Sequence, residues 1–128
     1  MSKNRSRKVQ AVYKDKKSKH VFELSLFQFD ENKVVVIYSP ALDLSGYGKS
    51  EKEAEKSFEE ALNEFTRYTT NKGTLLKELR RLGWTFSKKE NNAPRLENML
   101  ASNEYLADIF EHKEFKKYNS KVHVPISA

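Results

Sequence analysis

The 128-residue chain has no cysteine, which excludes disulfides, thiolate zinc sites and a cysteine nucleophile and leaves no chemical sign of an oxidising compartment. Glycine is scarce, with four in all, and no glycine-rich phosphate cradle is recognisable. No stretch approaches the roughly 18 consecutive apolar residues of a membrane-spanning helix, and no apolar signal region follows the basic N-terminus. The expected protein is soluble and cytoplasmic, with no membrane partner. The three histidines, His20, His112 and His123, are far apart and form no i, i+4 pair, so neither a metal site nor a cofactor is expected. Glu59-Glu60 and Asp30-Glu31 are adjacent carboxylates without an apolar setting to separate their acidities, and read as a solvated helix face and a turn. Ser45, between Leu44 and Gly46, lacks the Gly-x-Ser-x-Gly spacing of a nucleophile elbow. No catalytic residue is assigned, and a noncatalytic protein is expected.

What is present suits one ordinary two-layer domain. Apolar residues make up 38% and charged residues 33%, and Trp84, six tyrosines and eight phenylalanines are available to pack, so the chain should fold. The net charge of +6 is unevenly spread. Residues 1–19 carry eight basic groups (Lys3, Arg5, Arg7, Lys8, Lys14, Lys16, Lys17 and Lys19) against Asp15, a sum of +7, leaving 16 of the 24 basic and 17 of the 18 acidic residues for the rest, a sum of −1. Arg5, Arg7, Lys8, Lys14, Lys16, Lys17 and Lys19 would serve as phosphate contacts if this arm binds nucleic acid. The plainer reading is a solvated tail that leads into a lysine-protected edge strand, since only Tyr13 interleaves the charges as a stacking residue.

The pattern along the chain is that of an α+β protein. Val9 to Tyr13 is a short candidate strand. Between His20 and Phe29, Phe22, Leu24 and Leu26 alternate with polar residues before Phe27 and Phe29 appear in the opposite phase, which implies a bulge or a strand covered on both faces toward its end. Asp30-Glu31-Asn32-Lys33 supplies a turn, and Val34 to Tyr38, continuously apolar and β-branched, reads as a central strand. Ser39-Pro40 stops it, and Gly46 and Gly48 are expected to let the following loop turn. Ser50 with Glu53 is a capping box that opens a helix whose stripe is Ala54, Phe58, Ala61, Leu62 and Phe65.

This order of elements, with a strand ending in Tyr38-Ser39-Pro40, a leucine and glycine loop, then Gly48-x-Ser50-x-x-Glu53-Ala54, resembles the HicB antitoxin family over residues 20–68. In place of that family's Pro-Asp-Leu-Pro-Gly turn this chain has Pro40-Ala41-Leu42-Asp43-Leu44-Ser45-Gly46, a longer loop with a displaced acid. The resemblance implies an antiparallel strand-strand-strand-helix-strand fold in two layers, oligomerisation, and a groove that sequesters a small HicA-like ribonuclease.

Beyond residue 70, Thr74 can cap a helix carrying Leu75, Leu76, Leu79 and Leu82 and closed by Gly83, with a short strand at Trp84–Phe86. Residues 74–86 are similar to the opening of the HicA toxin fold, but Ser87-Lys88-Lys89-Glu90-Asn91-Asn92 stands where those nucleases carry a catalytic histidine. A helical tail follows through Leu96, Met99, Leu100, Tyr105, Leu106, Ile109 and Phe110, capped midway by Ser102 or Asn103. From Lys121 to Ile126, Val122, Val124 and Ile126 then alternate in a closing strand that ends near Pro125, which implies an edge position or a strand end. The organisation is a basic arm over 1–19, a β-β-α core over 20–70, and a helical extension with the closing strand over 71–128, packed with the core. No ribbon-helix-helix or helix-turn-helix DNA reader is recognisable.

Two function classes follow. One is a homo-oligomeric interaction protein whose contact surface is the sheet edge and the loop with Leu42, Asp43, Leu44 and Tyr47, engaging a HicA-like toxin or another protein. The other is a nucleic-acid-binding protein that uses the basic arm.

Overall fold

The computed structural model describes residues 19–86 and 91–125; the candidate strand at Val9 to Tyr13 and the basic arm up to residue 18 lie outside the described residues, as does Ile126. The chain runs β1 (Lys19–Glu31), β2 (Val34–Ser39), β3 (Leu44–Gly48), α1 (Glu51–Asn71), α2 (Leu75–Arg81), β4 (Thr85–Phe86), β5 (Asn91–Asn92), α3 (Leu96–Ser102), α4 (Glu104–His112) and β6 (Phe115–Pro125). A four-stranded sheet of order β3-β2-β1-β6 is antiparallel throughout, and β4 and β5 form a separate small hairpin. This is the expected α+β architecture, an antiparallel sheet with a packed amphipathic helix, further helices and a closing strand.

The phase change in β1 has a direct cause. Phe22, Leu24 and Leu26 are buried in the cluster that includes Ala54, Phe58 and Leu62 of α1, whereas Phe27 and Phe29 are buried in a second cluster with Leu106 and Ile109 of α4. The ladder runs unbroken from Lys19 opposite Pro125 to Phe29 opposite Phe115, and from Phe27 opposite Tyr38 to Glu31 opposite Val34. Of the two alternatives, the strand covered on both faces is therefore the one realised. Asn32 and Lys33, both at positive φ (52° and 66°), make the two-residue hairpin turn whose twist matches the flanking strands. β6 begins at Phe115, six residues before the expected start at Lys121, because β1 offers a pairing partner along its whole length.

The segment after Pro40 departs from the expected loop. Residues 44–48 form β3, the edge strand that pairs with β2 from Val35 opposite Gly48 to Ser39 opposite Leu44. Gly46 and Gly48 do not turn the chain, and neither has a positive φ. They let α1 lie directly on the strand: a Cβ on Gly46 would stand 2.4 Å from the Phe58 backbone nitrogen and 2.6 Å from the Ala54 carbonyl oxygen. The turn itself uses Asp43, at φ 55°.

α1 begins as expected. Ser50 Oγ accepts from the Glu53 N–H at 3.2 Å, and Glu53 Oε1 accepts from the Lys49 N–H at 3.0 Å, one residue earlier than in a standard capping box. The Ala54, Phe58 and Leu62 stripe is buried, with Ala61 and Phe65 half-buried beside it. Thr66 and Thr69 extend the buried face because their hydroxyls donate back to the Leu62 and Phe65 carbonyls, both at 2.8 Å. α2 buries Leu75 and Leu79, and Gly83, at φ 102°, makes the predicted left-handed exit. Thr74 occupies the N-cap position without a side-chain cap bond. Trp84 packs on Phe22 with ring centroids 4.5 Å apart, and its indole N–H donates to the Ala41 carbonyl at 2.8 Å, which ties the end of α2 to the β2–β3 turn. No helix among the described residues is long and apolar enough to cross a membrane.

Candidate functional site

The second layer brings the β2–β3 turn together with the α3–α4 elbow. Tyr38 ends the apolar run of β2 on the face covered by α4, so its hydroxyl is carried into a buried setting and needs partners. It finds two: it donates to Asp43 Oδ1 at 2.8 Å and accepts from Asn103 Nδ2 at 2.8 Å. Asn103 Oδ1 in turn accepts from the Leu106 N–H at 3.0 Å and so caps α4. Of the two expected caps, Asn103 is the one used. Burial raises the Tyr38 phenol far above its ordinary range, the Asn103 donor opposes that shift, and the Asp43 carboxylate adds to it.

Tyr105, in the first turn of α4, packs edge-on against Tyr38 at 4.9 Å and against Phe29 at 6.4 Å. Its outer side remains open, at 40% exposure. On the same sheet face Tyr47 of β3 lies opposite Val36 and is 55% exposed, while its backbone N–H donates to Ser57 Oγ of α1 at 3.0 Å. Partial burial raises the Tyr105 phenol, with neighbouring Tyr47, Glu31 and Asp108 adding smaller contributions. Two large aromatic side chains therefore share one surface, and beside them a cleft of about 880 Å3 is lined by Asp43, Arg81, Leu82, Met99, Asn103 and Tyr105. Arg81 is held through its Nε–H to Glu78 Oε1 at 2.7 Å, which keeps the Glu78 carboxyl below the usual range.

The four residues expected to contact a partner divide. Asp43 and Tyr47 reach this surface; Leu42 is buried in the main core and Leu44 is half-buried against it, so both anchor the turn from beneath. The N-terminal cations Arg5, Arg7, Lys8, Lys14, Lys16 and Lys17 lie outside the described residues, and Lys19 begins β1. Tyr105, Asn103 and Arg81 were missed as site residues. A hydroxyl at the end of an otherwise apolar strand was the signal for a buried network around Tyr38, but of its two partners only Asp43 is near in sequence, and Asn103 lies 65 residues away.

A second cleft, of about 700 Å3, lies between Asp30 and the 112–116 segment; near it His112 Nδ1 is 2.9 Å from Asp108 Oδ1 and Lys113 Nζ is 3.5 Å from Glu31 Oε2. Among the described residues there is no group of three or more His, Cys, Asp or Glu placed to hold a metal ion. Ser45 sits in β3 opposite Tyr38. In comparisons with known proteins, no family model, no curated protein and no solved structure matches this chain.

Proposed function

We propose that this chain is a noncatalytic interaction protein related to the HicB antitoxins, which self-associates and captures a small HicA-like toxin or other protein on the Tyr47–Tyr105 surface. The carrying observation is that Tyr47 and Tyr105 stand exposed on one sheet face beside a cleft whose walls, through Tyr38, Asp43 and Asn103, are hydrogen-bonded together. Exposed aromatics beside a concave surface are favoured anchors, because covering them removes large apolar area from water. The strand order before α1 and the Ser50–Glu53 opening of that helix are the features shared with the antitoxin family.

The test is capture of a HicA-like ribonuclease by the full chain and by Tyr47→Ser/Tyr105→Ser, measured by titration calorimetry. Submicromolar binding, weakened at least 100-fold by the double substitution, is expected; equal binding by both proteins removes the surface from consideration, and no binding by either removes the toxin as partner. The second reading, nucleic-acid binding, is favoured by the +7 charge of residues 1–19.

A further inference from the structure

The cleft beside Tyr105 has apolar walls and an acidic rim. Leu82 and Met99 are half-buried in its lining, while Asp43 and Glu104 are exposed and Tyr105 keeps 40% of its surface open. Asp43 Oδ1 accepts from the Tyr38 hydroxyl, which in turn accepts from Asn103, so the carboxylate is anchored through one oxygen and retains acceptor sites for a further donor. Glu104, in the first turn of α4, makes no hydrogen bond or ion pair among the described residues. Arg81, the cation of the lining, is hydrogen-bonded to Glu78, which leaves Asp43 and Glu104 to set the sign of the rim. The acidity continues outward. Residues 96–112 carry Glu97, Glu104, Asp108 and Glu111 without a lysine or arginine, in a chain whose net charge is +6. After burial and Tyr47, Glu31 and Asp108 are the groups that act on the Tyr105 phenol.

We propose that this cleft takes a cationic side chain of the protein partner, an arginine, with its stem along Leu82 and Met99 and its guanidinium between Asp43, Glu104 and the Tyr105 ring. The cleft belongs to the Tyr47–Tyr105 surface proposed above to capture a protein, and the assignment rests on that reading. Three features select the occupant together. A long aliphatic stem covers the apolar walls while its charged head stays at the wetter rim. Two carboxylates can accept from the five N–H donors that a guanidinium presents in one plane. An aromatic ring adds cation–π attraction, which a planar guanidinium meets better than the compact, strongly hydrated ammonium of lysine. Other side chains fail here. An acid would meet Asp43 and Glu104 as like charges, and an apolar one would strip water from both carboxylates and return no hydrogen bond. The acids of residues 96–112 extend the same field outward, where it speeds encounter with a basic surface.

The experiment is an NMR titration of the full chain at low salt with a short peptide of alternating glycine and arginine, and with its citrulline counterpart, which keeps the shape and loses the charge. The arginine peptide should shift Asn103, Met99 and Tyr105 saturably, against the repulsion of a protein of net charge +6, and the citrulline peptide should not. Asp43→Asn/Glu104→Gln should weaken that binding about ten-fold, in the range of two partly exposed ion pairs. Asparagine keeps an acceptor for the Tyr38 hydroxyl and tolerates the φ of 55° at this position, so the fold should survive. Glu60→Gln/Glu64→Gln, exposed on α1, changes net charge equally and should leave the affinity unchanged. The cation site is overturned by the absence of saturable shifts, by equal binding of the citrulline peptide, by unchanged affinity in Asp43→Asn/Glu104→Gln, or by an equal loss in the α1 control. If the double variant melts below the parent, Glu104→Gln alone takes its place and must still weaken binding about three-fold. Capture of a HicA-like ribonuclease through Tyr47 and Tyr105 with no response to the arginine peptide refutes the cation site and leaves the surface reading standing. Arginine binding without ribonuclease capture supports the cation site and removes only the toxin as its source.

Discussion

Replacing Gly46 with alanine isolates the contact on which the two layers depend. The new Cβ would stand 2.4 Å from the Phe58 nitrogen, 2.6 Å from the Ala54 oxygen and 2.6 Å from Phe58 Cα, all backbone atoms that cannot rotate aside. Non-bonded carbon contacts are comfortable at about 3.5–4.0 Å, so α1 must retreat from β3 by about 1 Å. That lift acts on the stripe of Ala54, Phe58 and Leu62, each buried to 0% exposure, and loosens side chains whose dispersion contacts fall off steeply with such a gap. Overpacking a well-filled site costs about 1–3 kcal/mol, and with backbone on the receiving side the upper end applies, about 3 kcal/mol. Urea denaturation followed through the single, buried Trp84 reads this directly. With a slope of about 1.5–2 kcal/mol per molar urea, the midpoint should fall by about 1.5–2 M. Because Gly46 has no positive φ, a glycine needed only for loop flexibility would tolerate alanine; a loss under about 0.5 kcal/mol, the usual range of a neutral surface change, refutes the close-approach account.

Phe58→Ala should cost about 3–5 kcal/mol in the same assay, since the ring is fully buried between α1 and the sheet. Asn103→Ala removes both the α4 cap and the donor to Tyr38, so a loss of about 1–2 kcal/mol is expected, whereas a value near zero would mean that neither bond matters. The phenol of Tyr38 titrates near 10.0 when unfolded and higher when folded, so its contribution is complete below pH 10 and declines above it as the unfolded state sheds its proton first. Wild-type stability should therefore fall faster than that of Tyr38→Phe above pH 10, by up to about 1.4 kcal/mol per pH unit, and parallel curves would contradict the burial argument. Light scattering at high micromolar concentration should report a dimer or larger through the β6 edge; a monomer there removes self-association from the proposal.

The elements that were legible are those whose signals are local. Ser50 with Glu53, the apolar stripe behind them, Gly83 after the leucines of α2, and the alternation in β1 each state their structure within a few residues, and each is present. Gly46 and Gly48 misled because a glycine that admits a helix and a glycine that admits a turn look alike in sequence. What separates them is the position of Phe58 in three dimensions. The same limit hid the site: Tyr38, Asp43 and Asn103 are joined only when α4 folds back over β2, and Leu42 lies on the buried side of the turn because the main core, assembled from distant elements, closes over it.

The most direct test of the proposed interaction role is the native mass of the protein isolated through a C-terminal tag from its own host, compared with that of Tyr47→Ser/Tyr105→Ser prepared alongside. The account predicts a complex in which each chain carries one small basic protein, and its disappearance in the double variant while the variant's own oligomeric mass is unchanged. A wild-type mass accounted for by this chain alone, or a complex that survives the loss of both tyrosines, would contradict it.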